Sequence, residues 1–401
     1  TQVSPAYRRL ATTECTVSAM EVISLCELPA ASLVWMPRDG AHSLTVVCKA
    51  TYDLAPGQAS LAEVQDYLAE EDNHWNDDQN CSLYVASDMV PFKLKADVVV
   101  VGDAYAPGGQ PTRSLRARLH VGHVDKSIQI SLDRHFDAHG AVVEGEPFSR
   151  MSLRYERAAG ARAYNPVGIA PDAAPDMYGR RMVPNLAPVG HETTNPGAID
   201  PIGFGPLAPS WLPRRELLGR QATGTGSWHG RGLPSDIDGR FFNCAPSDQL
   251  LDEIGAGQRV MLENLSPSHA RLVFELPGLR PRAYVDPSGR ELTMRGDTLW
   301  IDTTRGICTV TWRGRLDLQH RDEVQRVLVA LERSGESMTW DAVRALANPT
   351  PASAERSLEE TANVSIADIP EHTAIGVLAP QFRPLPFGDG AAPKSHRKVA
   401  A

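Results

Sequence analysis

The stretch from residue 140 to 245 has almost no sustained helical or strand period, and it constrains the fold more than any other feature of the sequence. At residues 201–214 it reads PIGFGPLAPSWLPR, with four prolines and two glycines beside Phe204 and Trp211. Because proline removes a backbone donor and fixes φ, this part cannot form a regular helix or a central strand. Such a long irregular stretch in a compact domain either packs as ordered coil or does not fold.

The aromatic content of this stretch decides between the two outcomes, because a segment that stays unfolded carries few aromatic residues. The large aromatic residues here include Tyr155, Tyr164, Tyr178, Phe204, Trp211, Trp228, Phe241 and Phe242. We therefore expect ordered coil that wraps the sheets, with its backbone hydrogen-bonded to Asn, Asp and Arg side chains. In this hypothesis, burial of Phe204 and Trp211 anchors a binding surface.

The sequence on both sides of this coil has the period-2 alternation of β-strands. In residues 42–54 apolar residues fall on one parity and polar residues on the other, which predicts a half-buried strand. Residues 114–133 show two such runs around a turn near His123 and predict a hairpin. From residue 258 to 312, short apolar runs alternate with SPS, PSG, RGD and TTRG, which indicates an antiparallel meander with RGD as a hairpin turn.

The pattern changes after the meander. Residues 321–333 fit a helix face and a strand alternation equally well, so periodicity leaves both open. Residues 337–347 predict a helix with Ser337 or Thr339 as its cap.

These patterns predict a mainly β protein of antiparallel sheets, sandwich-like or barrel-like, with a long ordered irregular segment and a small C-terminal helical part and tail. The N-terminal antiparallel β region is expected at residues 20–150. The irregular Pro-, Gly- and aromatic-rich segment packs on the sheets at residues 151–250. The C-terminal β meander spans residues 251–335, and a short helix with an extended tail spans residues 336–401.

The tail contains one apolar run, VLAPQFRPLPF, at residues 377–387. One interpretation is that it docks on a partner as an extended or polyproline segment through Phe382, Pro384, Leu385 and Phe387. The other is that the tail folds back and covers an edge of its own sheet. The sequence leaves both open.

Charge and cysteine content limit the class of partner and the compartment. The net charge is −9, and no Lys/Arg cluster precedes KSHRK in the tail, so we expect no nucleic-acid partner. Six cysteines form no CxxC pair, and Cys48 and Cys308 lie in apolar alternation, so we expect buried thiols in a reducing compartment. Without a long apolar window or a signal-like N-terminus, the protein is expected to be cytoplasmic, with no membrane partner.

The acidic residues beside His229 raise one catalytic possibility. Asp236 and Asp238 with this imidazole could hold a hard cation or activate water. The preferred interpretation is structural, because Asp236 lies in a turn sequence where Asp side chains pair with backbone amides. We therefore expect no catalytic residue, no metal and no cofactor.

Three arginines within the motif runs have two possible roles. Arg134, Arg214 and Arg240 stand beside acidic or aromatic residues, and we expect them to clamp the irregular segment through bidentate pairs with nearby aspartates. The alternative is that they line a groove for a partner. Under that alternative Arg214 joins Phe204 and Trp211 as a candidate partner-binding residue.

A series of motifs in fixed order carries a family resemblance over about residues 20–318. The motifs are TVVCKATYDL, SLYVASDMVPFKLKADVVVVGDAYAPGGQP, VGHVDKSIQI with the following Asp133-Arg134, LRYERAAG, NPVG, PNL, PIGFGPLAPSWLPR and LPSDIDGRFFNCAPSDQ. In this order they resemble a bacterial domain-of-unknown-function family associated with type VI secretion. Its members act as effector adaptors or chaperones.

The resemblance implies a protein-binding role in the type VI secretion system. The chain would bind an effector protein, or the spike-binding segment of an effector, and assist its loading onto the VgrG/PAAR spike. Two alternatives stay open, namely a metal-dependent hydrolase with a site near Asp236 and Asp238, and a structural component of a contractile injection particle. The sequence leaves the oligomeric state undetermined.

Overall fold

Almost all regular structure in this protein is β-strand, as the alternation predicts. The structure is a computed structural model that describes residues 20–38, 40–161, 163–191, 201–220, 227–333, 337–348 and 382–383. The strands up to residue 152 are β1 Glu21–Ser24, β2 Ala30–Trp35, β3 His42–Asp53, β4 Gly57–Gln58, β5 Ser60–Leu61, β6 Gln65–Asp66, β7 Asn73–His74, β8 Leu83–Val85, β9 Ala96–Val101, β10 Asp103–Tyr105, β11 Ser114–Val121, β12 Val124–Ser131, β13 Arg134–Phe136, β14 Val142–Glu144 and β15 Arg150–Ser152.

The second half of the chain adds fewer strands and the helices. The strands are β16 Arg181–Val183, β17 Leu186–Pro188, β18 Leu250–Leu251, β19 Arg259–Glu263, β20 Arg271–Glu275, β21 Arg280–Asp286, β22 Arg290–Leu292, β23 Arg295–Asp302, β24 Ile307–Leu318, β25 Arg326–Glu332 and β26 Phe382–Arg383. Within the described ranges the α-helices are α1 Leu212–Arg215 and α2 Trp340–Ala347. In this part of the chain neither helix is long and apolar enough to cross a membrane.

The largest sheet combines strands from both ends of the chain. Its order is β18-β9-β23-β24-β3-β2, with β5 paired to β3. Strands β3 and β24 pair antiparallel over their full length, from Ile307 opposite Asp53 to Leu318 opposite His42. Strands β9 and β23 pair in parallel. The N-terminal and C-terminal β regions therefore share one sheet, which is mixed.

Two further sheets complete the core. The predicted hairpin is confirmed as β11 and β12, at the centre of a sheet with order β17-β12-β11-β19-β20-β4. A four-stranded sheet has the order β1-β25-β21-β22. One apolar cluster combines buried side chains of these sheets and of the seven-stranded sheet, including Val98, Leu119, Phe274, Val310 and Val329.

The strands predicted from residue 258 to 312 are present, but they do not form one meander. Strands β19 and β20, β21 and β22, and β23 and β24 are three antiparallel pairs, each in a different sheet. The prediction that RGD is a hairpin turn is wrong, because Arg295, Gly296 and Asp297 begin β23. Asp297 is 2% exposed, since its carboxylate pairs with Arg313 in the neighbouring strand.

The structure resolves the ambiguity after residue 320 in favour of a strand. Strand β25 pairs in parallel with β1 and antiparallel with β21, and it is buried on both faces, with Val327 and Val329 in the common core and Leu328 on the face covered by α2. The predicted helix is confirmed as α2, and the Thr339 hydroxyl accepts a hydrogen bond from the Ala342 amide as its cap. Helix α2 packs Val343 against Tyr284 and Leu328 of the four-stranded sheet.

The seven-stranded sheet is buried on both faces, so the prediction that residues 42–54 form a half-buried strand is wrong. Its core face carries side chains such as Leu44, Val46 and Val310. Its other face, the covered face, carries Thr45, Lys49, Thr51, Asp97, Thr298, Thr311 and Arg313, which are at most 8% exposed. Largely irregular chain lies on the covered face and excludes solvent from it, including residues 243–245 and residues 62–95, in which β6, β7 and β8 are two or three residues long.

Candidate functional site

Buried charges attach the irregular chain to the covered face. Three cations and three carboxylates form this charge cluster, and each side chain is at most 7% exposed. Its members are Lys49, Asp88, Lys93, Asp97, Asp297 and Arg313. Because buried charges are stable only when paired and hydrogen-bonded, the cluster fixes the position of every chain segment that contributes to it.

The pair of Lys93 and Asp97 joins two irregular segments to strand β9. Lys93 Nζ lies 2.7 Å from Asp97 Oδ2, and the other carboxylate oxygen accepts hydrogen bonds from the Asn243 side chain and the Ala245 amide. Burial alone would raise the pKa of Asp97, but the Lys93 ammonium and these donors hold it below its ordinary value. Burial alone would lower the pKa of Lys93, and the carboxylate holds it above its ordinary value.

Arg313 attaches the segment around residue 88 to strand β24. Its guanidinium donates to Asp297 at 2.5 Å and to the carbonyls of Asp88 and Val90 at 2.5 and 3.2 Å. The Asp88 carboxylate in turn pairs with Lys49 and accepts a hydrogen bond from the Ala69 amide. The side chains of the sheet thus satisfy backbone groups that have no strand partner.

Phe204 and Trp211 are buried, as the sequence predicts. Phe204 is fully buried in the common core, and its carbonyl accepts hydrogen bonds from the Val100 amide and the Gln249 side chain. Trp211 packs edge-on against the Tyr155 ring, with 5.1 Å between the ring centroids. Both residues therefore support the surface above them, and neither presents its ring to solvent.

The glycines of PIGFG allow this packing. A Cβ atom at Gly203 would lie 2.5 Å from Cε1 of the Tyr155 ring, which is closer than real Cβ contacts. The Tyr155 hydroxyl donates a hydrogen bond to the Gly205 carbonyl at 3.1 Å. A side chain at Gly203 would therefore displace the ring on which Trp211 packs.

Asparagines of the shorter motifs bind other irregular parts of the chain. The Asn165 side chain of NPVG donates to the carbonyls of Tyr155 and Ala159 at 2.9 and 3.0 Å. The Asn185 side chain of PNL donates to the Ser131 carbonyl at 3.1 Å. These motifs therefore specify how the irregular segment packs.

The three motif arginines act as clamps, but mostly on backbone carbonyls. Arg214 is buried and donates to the carbonyls of Leu207 and Phe241. Arg134 donates to the Pro184 carbonyl at 3.3 Å. Of the three, Arg240 follows the expected pattern, with a bidentate pair to Asp238 at the surface.

A cleft of about 380 Å³ lies where residues 70–90 meet the coil near Arg214. Its aromatic side is formed by Trp228, Phe241 and Phe242, whose rings contact one another edge-on at centroid distances of 5.3 to 6.1 Å. Its border carries Glu70, Glu71 and Asp72. We call the space between these six residues the acidic cleft.

The carboxylates of the acidic cleft differ in their partners. Asp72 accepts a hydrogen bond from the Ser87 amide at 2.8 Å. Glu70 and Glu71 are exposed, and within the described part of the chain neither has an ion-pair partner. The Arg214 charge is held against the carbonyls beneath the surface, so the acidic cleft presents net negative charge beside aromatic rings. These rings are at most 4% exposed, so the group that the cleft offers to a ligand is the negative charge at its border, which fits a cationic ligand.

A second groove, of about 430 Å³, continues from the acidic cleft. Glu70, Met89 and Ser227 line both spaces, so the two spaces are adjacent. We call the second space the apolar groove; its lining includes Ala30, Ala31, Leu33, Tyr67, Leu68 and Met89. Tyr67 is 48% exposed, which is high for an aromatic residue on a groove wall.

Part of the predicted partner-binding tail lies next to the apolar groove. Strand β26 pairs in parallel with β6, with Phe382 opposite Gln65 and Arg383 opposite Asp66. At these two residues the tail therefore covers its own chain, as the second interpretation of the tail expects. Pro384, Leu385 and Phe387 lie outside the described residues.

The residues of the hydrolase alternative have separate structural partners. Asp236 accepts a hydrogen bond from the Arg220 amide, and Asp238 pairs with Arg240 and caps the turn that follows. The exposed His229 lines the apolar groove. Among the described residues, no group of three or more His, Cys, Asp or Glu side chains is placed to hold a metal ion.

Sequence reasoning missed both the charge cluster and the acidic cleft. Lys49, Asp97 and Arg313 are single charges on the polar parity of strands, and that pattern normally indicates contact with solvent. The available signal was Asp97 itself, because KADVVVV places a carboxylate at the start of an otherwise apolar run. Glu70, Glu71 and Asp72 form a run of acids whose approach to Trp228 depends on tertiary structure alone.

Comparison with known proteins identifies the family of this chain. A search of curated proteins and a search of solved structures each found no match. Residues 39–313 match the profile of DUF2169, which is described as an uncharacterized protein conserved in bacteria. This match covers the charge cluster, the acidic cleft and most of the seven-stranded sheet, whereas strand β2 and residues 29–33 of the apolar groove precede it. Since it spans more than half of the sequence, the chain belongs to the bacterial DUF2169 family.

Proposed function

We propose that this protein is an adaptor or chaperone that binds a type VI secretion effector, or its spike-binding segment, in the cytoplasm of the producing cell. It assists the loading of that effector onto the VgrG/PAAR spike. The observation that carries the proposal is the acidic cleft together with the adjacent apolar groove. Together they offer the Glu70 and Glu71 carboxylates, which have no ion-pair partner in the described part of the chain, and an apolar wall in one surface.

This surface suits an extended polypeptide. The two spaces measure about 380 and 430 Å³, and their continuity makes an elongated site. A peptide with apolar residues at one end and cationic residues at the other matches this site, because the apolar end fits the apolar groove and the cationic end fits the acidic cleft. The supporting charge cluster holds the walls in place before a ligand arrives, which lowers the entropic cost of binding.

The connection to type VI secretion is supported by the ordered series of motifs from TVVCKATYDL to LPSDIDGRFFNCAPSDQ. Those motifs include Met89, which lines both spaces, and Phe241 and Phe242 of the acidic cleft. Arg214 of the PIGFGPLAPSWLPR motif holds the carbonyls of Leu207 and Phe241 under the acidic cleft.

The test is an affinity pull-down of the tagged full chain from its own cytoplasm, followed by mass spectrometry. We expect recovery of an effector or a spike component. A variant with Glu70→Gln and Glu71→Gln should recover at least tenfold less of it. The matched control carries Glu146→Gln and Glu253→Gln, two exposed carboxylates away from the cleft, and should recover the wild-type amount.

Two results would overturn the proposal. One is the absence of any effector or spike component from the wild-type pull-down. The other is a purified chain that carries a stoichiometric divalent cation and hydrolyses a substrate, which would favour the hydrolase alternative. Stoichiometric presence in purified injection particles would instead favour a structural component, because a chaperone is left behind.

A further inference from the structure

We propose that the effector binds this surface as an added β-strand, with its backbone paired to the outer edge of β2 at residues 30–33 and a cationic residue in the acidic cleft. The inference rests on the proposed function and deepens it, because it names the form in which the cargo is recognised. It depends on unpaired backbone groups in β2, on the side chains around them, and on the charge of the adjoining cleft.

Strand β2 is the outermost strand of the seven-stranded sheet and pairs with β3 on one side. The Lys49 amide donates to the Pro29 carbonyl at 3.1 Å, so these two residues form a hydrogen-bonded pair of the antiparallel ladder. Because hydrogen-bonded and non-hydrogen-bonded pairs alternate along such a ladder, the amides and carbonyls of Ala30 and Ser32 point away from β3. We call these four outward groups the β2 edge.

The second half of β2 already binds coil on this side. The Gly230 amide donates to the Val34 carbonyl at 2.7 Å, and residues 230–233 continue beside the strand in the parallel direction. At Ala30 and Ser32, by contrast, neither backbone group has a hydrogen-bond partner within the ranges that the structure describes. The β2 edge therefore offers two donors and two acceptors to a further extended chain.

Strand β2 differs from the other edge strands of this protein. With six residues it is longer than the other edge strands of the described sheets that contain at least three strands, which have two to four residues. Its sequence, AASLVW, contains no charged residue and no proline. Short length, charge and proline are the features that keep an edge from pairing with another chain. Because β2 lacks all three, its edge is a competent template for an added strand.

The β2 edge lies in the apolar groove, which both Ala30 and Ser32 line. Tyr67, Leu68 and Met89 line the same groove, so the alternate side chains of an added strand would contact apolar groups there. A single extended segment fits between these side chains. The same edge of a second copy of this chain would bring two sets of groove walls together before the edges met.

The length of the edge and the charge beside it define the ligand. Residues 30–33 span about 13 Å at strand spacing, so a partner segment of about four residues fills the edge. Glu70 lines both the apolar groove and the acidic cleft, and Glu71 and Asp72 border the cleft. A Lys or Arg next to the paired residues would meet these carboxylates. The ligand class is therefore an extended peptide with alternating apolar residues beside a cationic residue.

Hydrogen exchange of the full chain without a ligand tests the edge itself. We expect the amides of Ala30 and Ser32 to exchange at least tenfold faster than those of Ala31 and Leu33, which belong to hydrogen-bonded pairs with β3. Mass spectrometry with fragmentation that resolves single amides measures the four rates. Equal exchange at the two sets of positions would overturn the inference.

A synthetic peptide serves as the probe in place of the effector segment. Its sequence is Thr-Val-Thr-Val-Thr-Lys-Lys with a fluorescent label, and its binding to the full chain is followed by fluorescence anisotropy. We expect it to slow exchange at Ala30 and Ser32 at least tenfold. Two further peptides are methylated on the backbone nitrogens of either the valines or the threonines. Because an added strand uses one of its two backbone sides, one methylated peptide should bind at least tenfold more weakly than the other.

Substitutions in β2 and in the cleft test the same pairing. Ser32→Pro removes an outward amide, and proline is tolerated in an edge strand where the N–H points away from the sheet. This variant should bind the peptide at least tenfold more weakly, whereas the matched control Ser32→Ala, which keeps the amide, should bind within twofold of the wild type. Glu70→Gln with Glu71→Gln should weaken binding at least threefold. Circular dichroism checks that Ser32→Pro folds, and the methylated peptides test the pairing without it.

The outcomes separate this inference from the proposed function. Equal binding of the two methylated peptides, no binding of the probe, or equal effector recovery by Ser32→Pro and the wild type would overturn strand addition and leave the adaptor role standing. Strand pairing of the probe with no effector in any pull-down would support the edge as a binding site and overturn the adaptor role. Protection of Ala30 and Ser32 only in a concentration-dependent dimer would overturn the effector segment as the occupant.

Discussion

The two faces of the seven-stranded sheet are buried by different physical means. The core face packs apolar side chains such as Val98 and Val310 against two other sheets. The covered face carries Thr, Lys, Asp and Arg side chains and is buried beneath irregular chain. Both faces exclude water, yet only the first does so through the hydrophobic effect alone.

The difference follows from what each face must cover. A strand satisfies its backbone through its neighbours, so a sheet that packs on a sheet needs only apolar side chains. Irregular chain lacks such neighbours, and its amides and carbonyls need partners from elsewhere. Asp97, Arg313 and Thr45 supply them from the covered face, as the hydrogen bond from Thr45 to the Pro91 carbonyl at 2.6 Å illustrates. Polar side chains in a buried strand therefore mark the place where coil is attached.

The largest effect is expected from removing the aromatic support of the coil. Replacing both Phe204 and Trp211 with Ala should lower the free energy of unfolding by about 3–5 kcal/mol for each side chain, because each leaves a buried cavity. Chemical denaturation followed by circular dichroism measures the change. The control is Tyr178→Ala in the same segment, whose side chain is 68% exposed, and an unchanged melting temperature in the double variant would refute the expectation.

Breaking the charge cluster should lower the free energy of unfolding by nearly as much. The local loosening should be confined to the covered face. Asp97→Asn leaves the Lys93 ammonium buried without its counter-ion and should lower the free energy of unfolding by about 3–5 kcal/mol. Hydrogen exchange should accelerate first at Cys244 and Ala245, whose amides bind this carboxylate.

The matched variant for the core face is Leu299→Ala, with an expected loss of about 2–5 kcal/mol. Its exchange should rise across the sheet without a preference for residues 244 and 245. If both variants gave the same exchange pattern, the distinction between the two faces would be lost.

The pH dependence of stability below neutrality sharpens the comparison, because the covered face carries carboxylates such as Asp97, whereas the Cys48, Tyr52 and Cys308 groups of the core face have raised pKa values. The pKa of Asp97 is lower in the folded protein than its ordinary value of 3.8, so the unfolded chain takes up this proton first as pH falls. The stabilisation is therefore complete above pH 3.8 and is lost as pH falls through the folded-state pKa. We expect the difference in unfolding free energy between wild type and Asp97→Asn to shrink below pH 3.8 and to stay constant near neutrality. Denaturation curves of both proteins across this range test it.

The smallest effect is expected where a charge pair is exposed. Arg240 and Asp238 form a bidentate pair at the surface, where water screens the attraction. Arg240→Gln should leave the denaturation midpoint unchanged within the error of the measurement. If Arg240→Gln lowered the free energy of unfolding as much as Asp97→Asn, exposed and buried charge pairs would not differ in their contribution to stability.

The sequence predicted the strands well because alternation depends on local geometry. The hairpin of β11 and β12, the long strand β3 and the capped helix α2 all follow from residue periodicity. The alternation of apolar and polar residues predicts which side chains share a face of a sheet. It does not predict which part of the chain covers that face. The half-buried interpretation of β3 and the RGD turn failed for this reason, since the covering chain and Arg313 come from distant positions.

The candidate site was predicted in part. Burial of Phe204 and Trp211 followed from their size in a proline-rich segment. The acidic cleft could not be predicted, because Glu70 and Trp228 meet only after the irregular segment has folded over the sheet. The parallel pairing of β26 with β6 was likewise beyond reach, since two-residue strands carry no periodic signal.

The pairing of β3 with β24 has a consequence for how the protein is made. Residues 42–53 leave the ribosome long before residues 307–318, so the centre of the largest sheet cannot close until almost all of the matched region has been synthesised. Until then β3 presents an open edge with its apolar residues exposed, a state that favours aggregation. Pairs so distant in sequence make for slow folding, so we expect the open state of β3 to persist while the chain is being made.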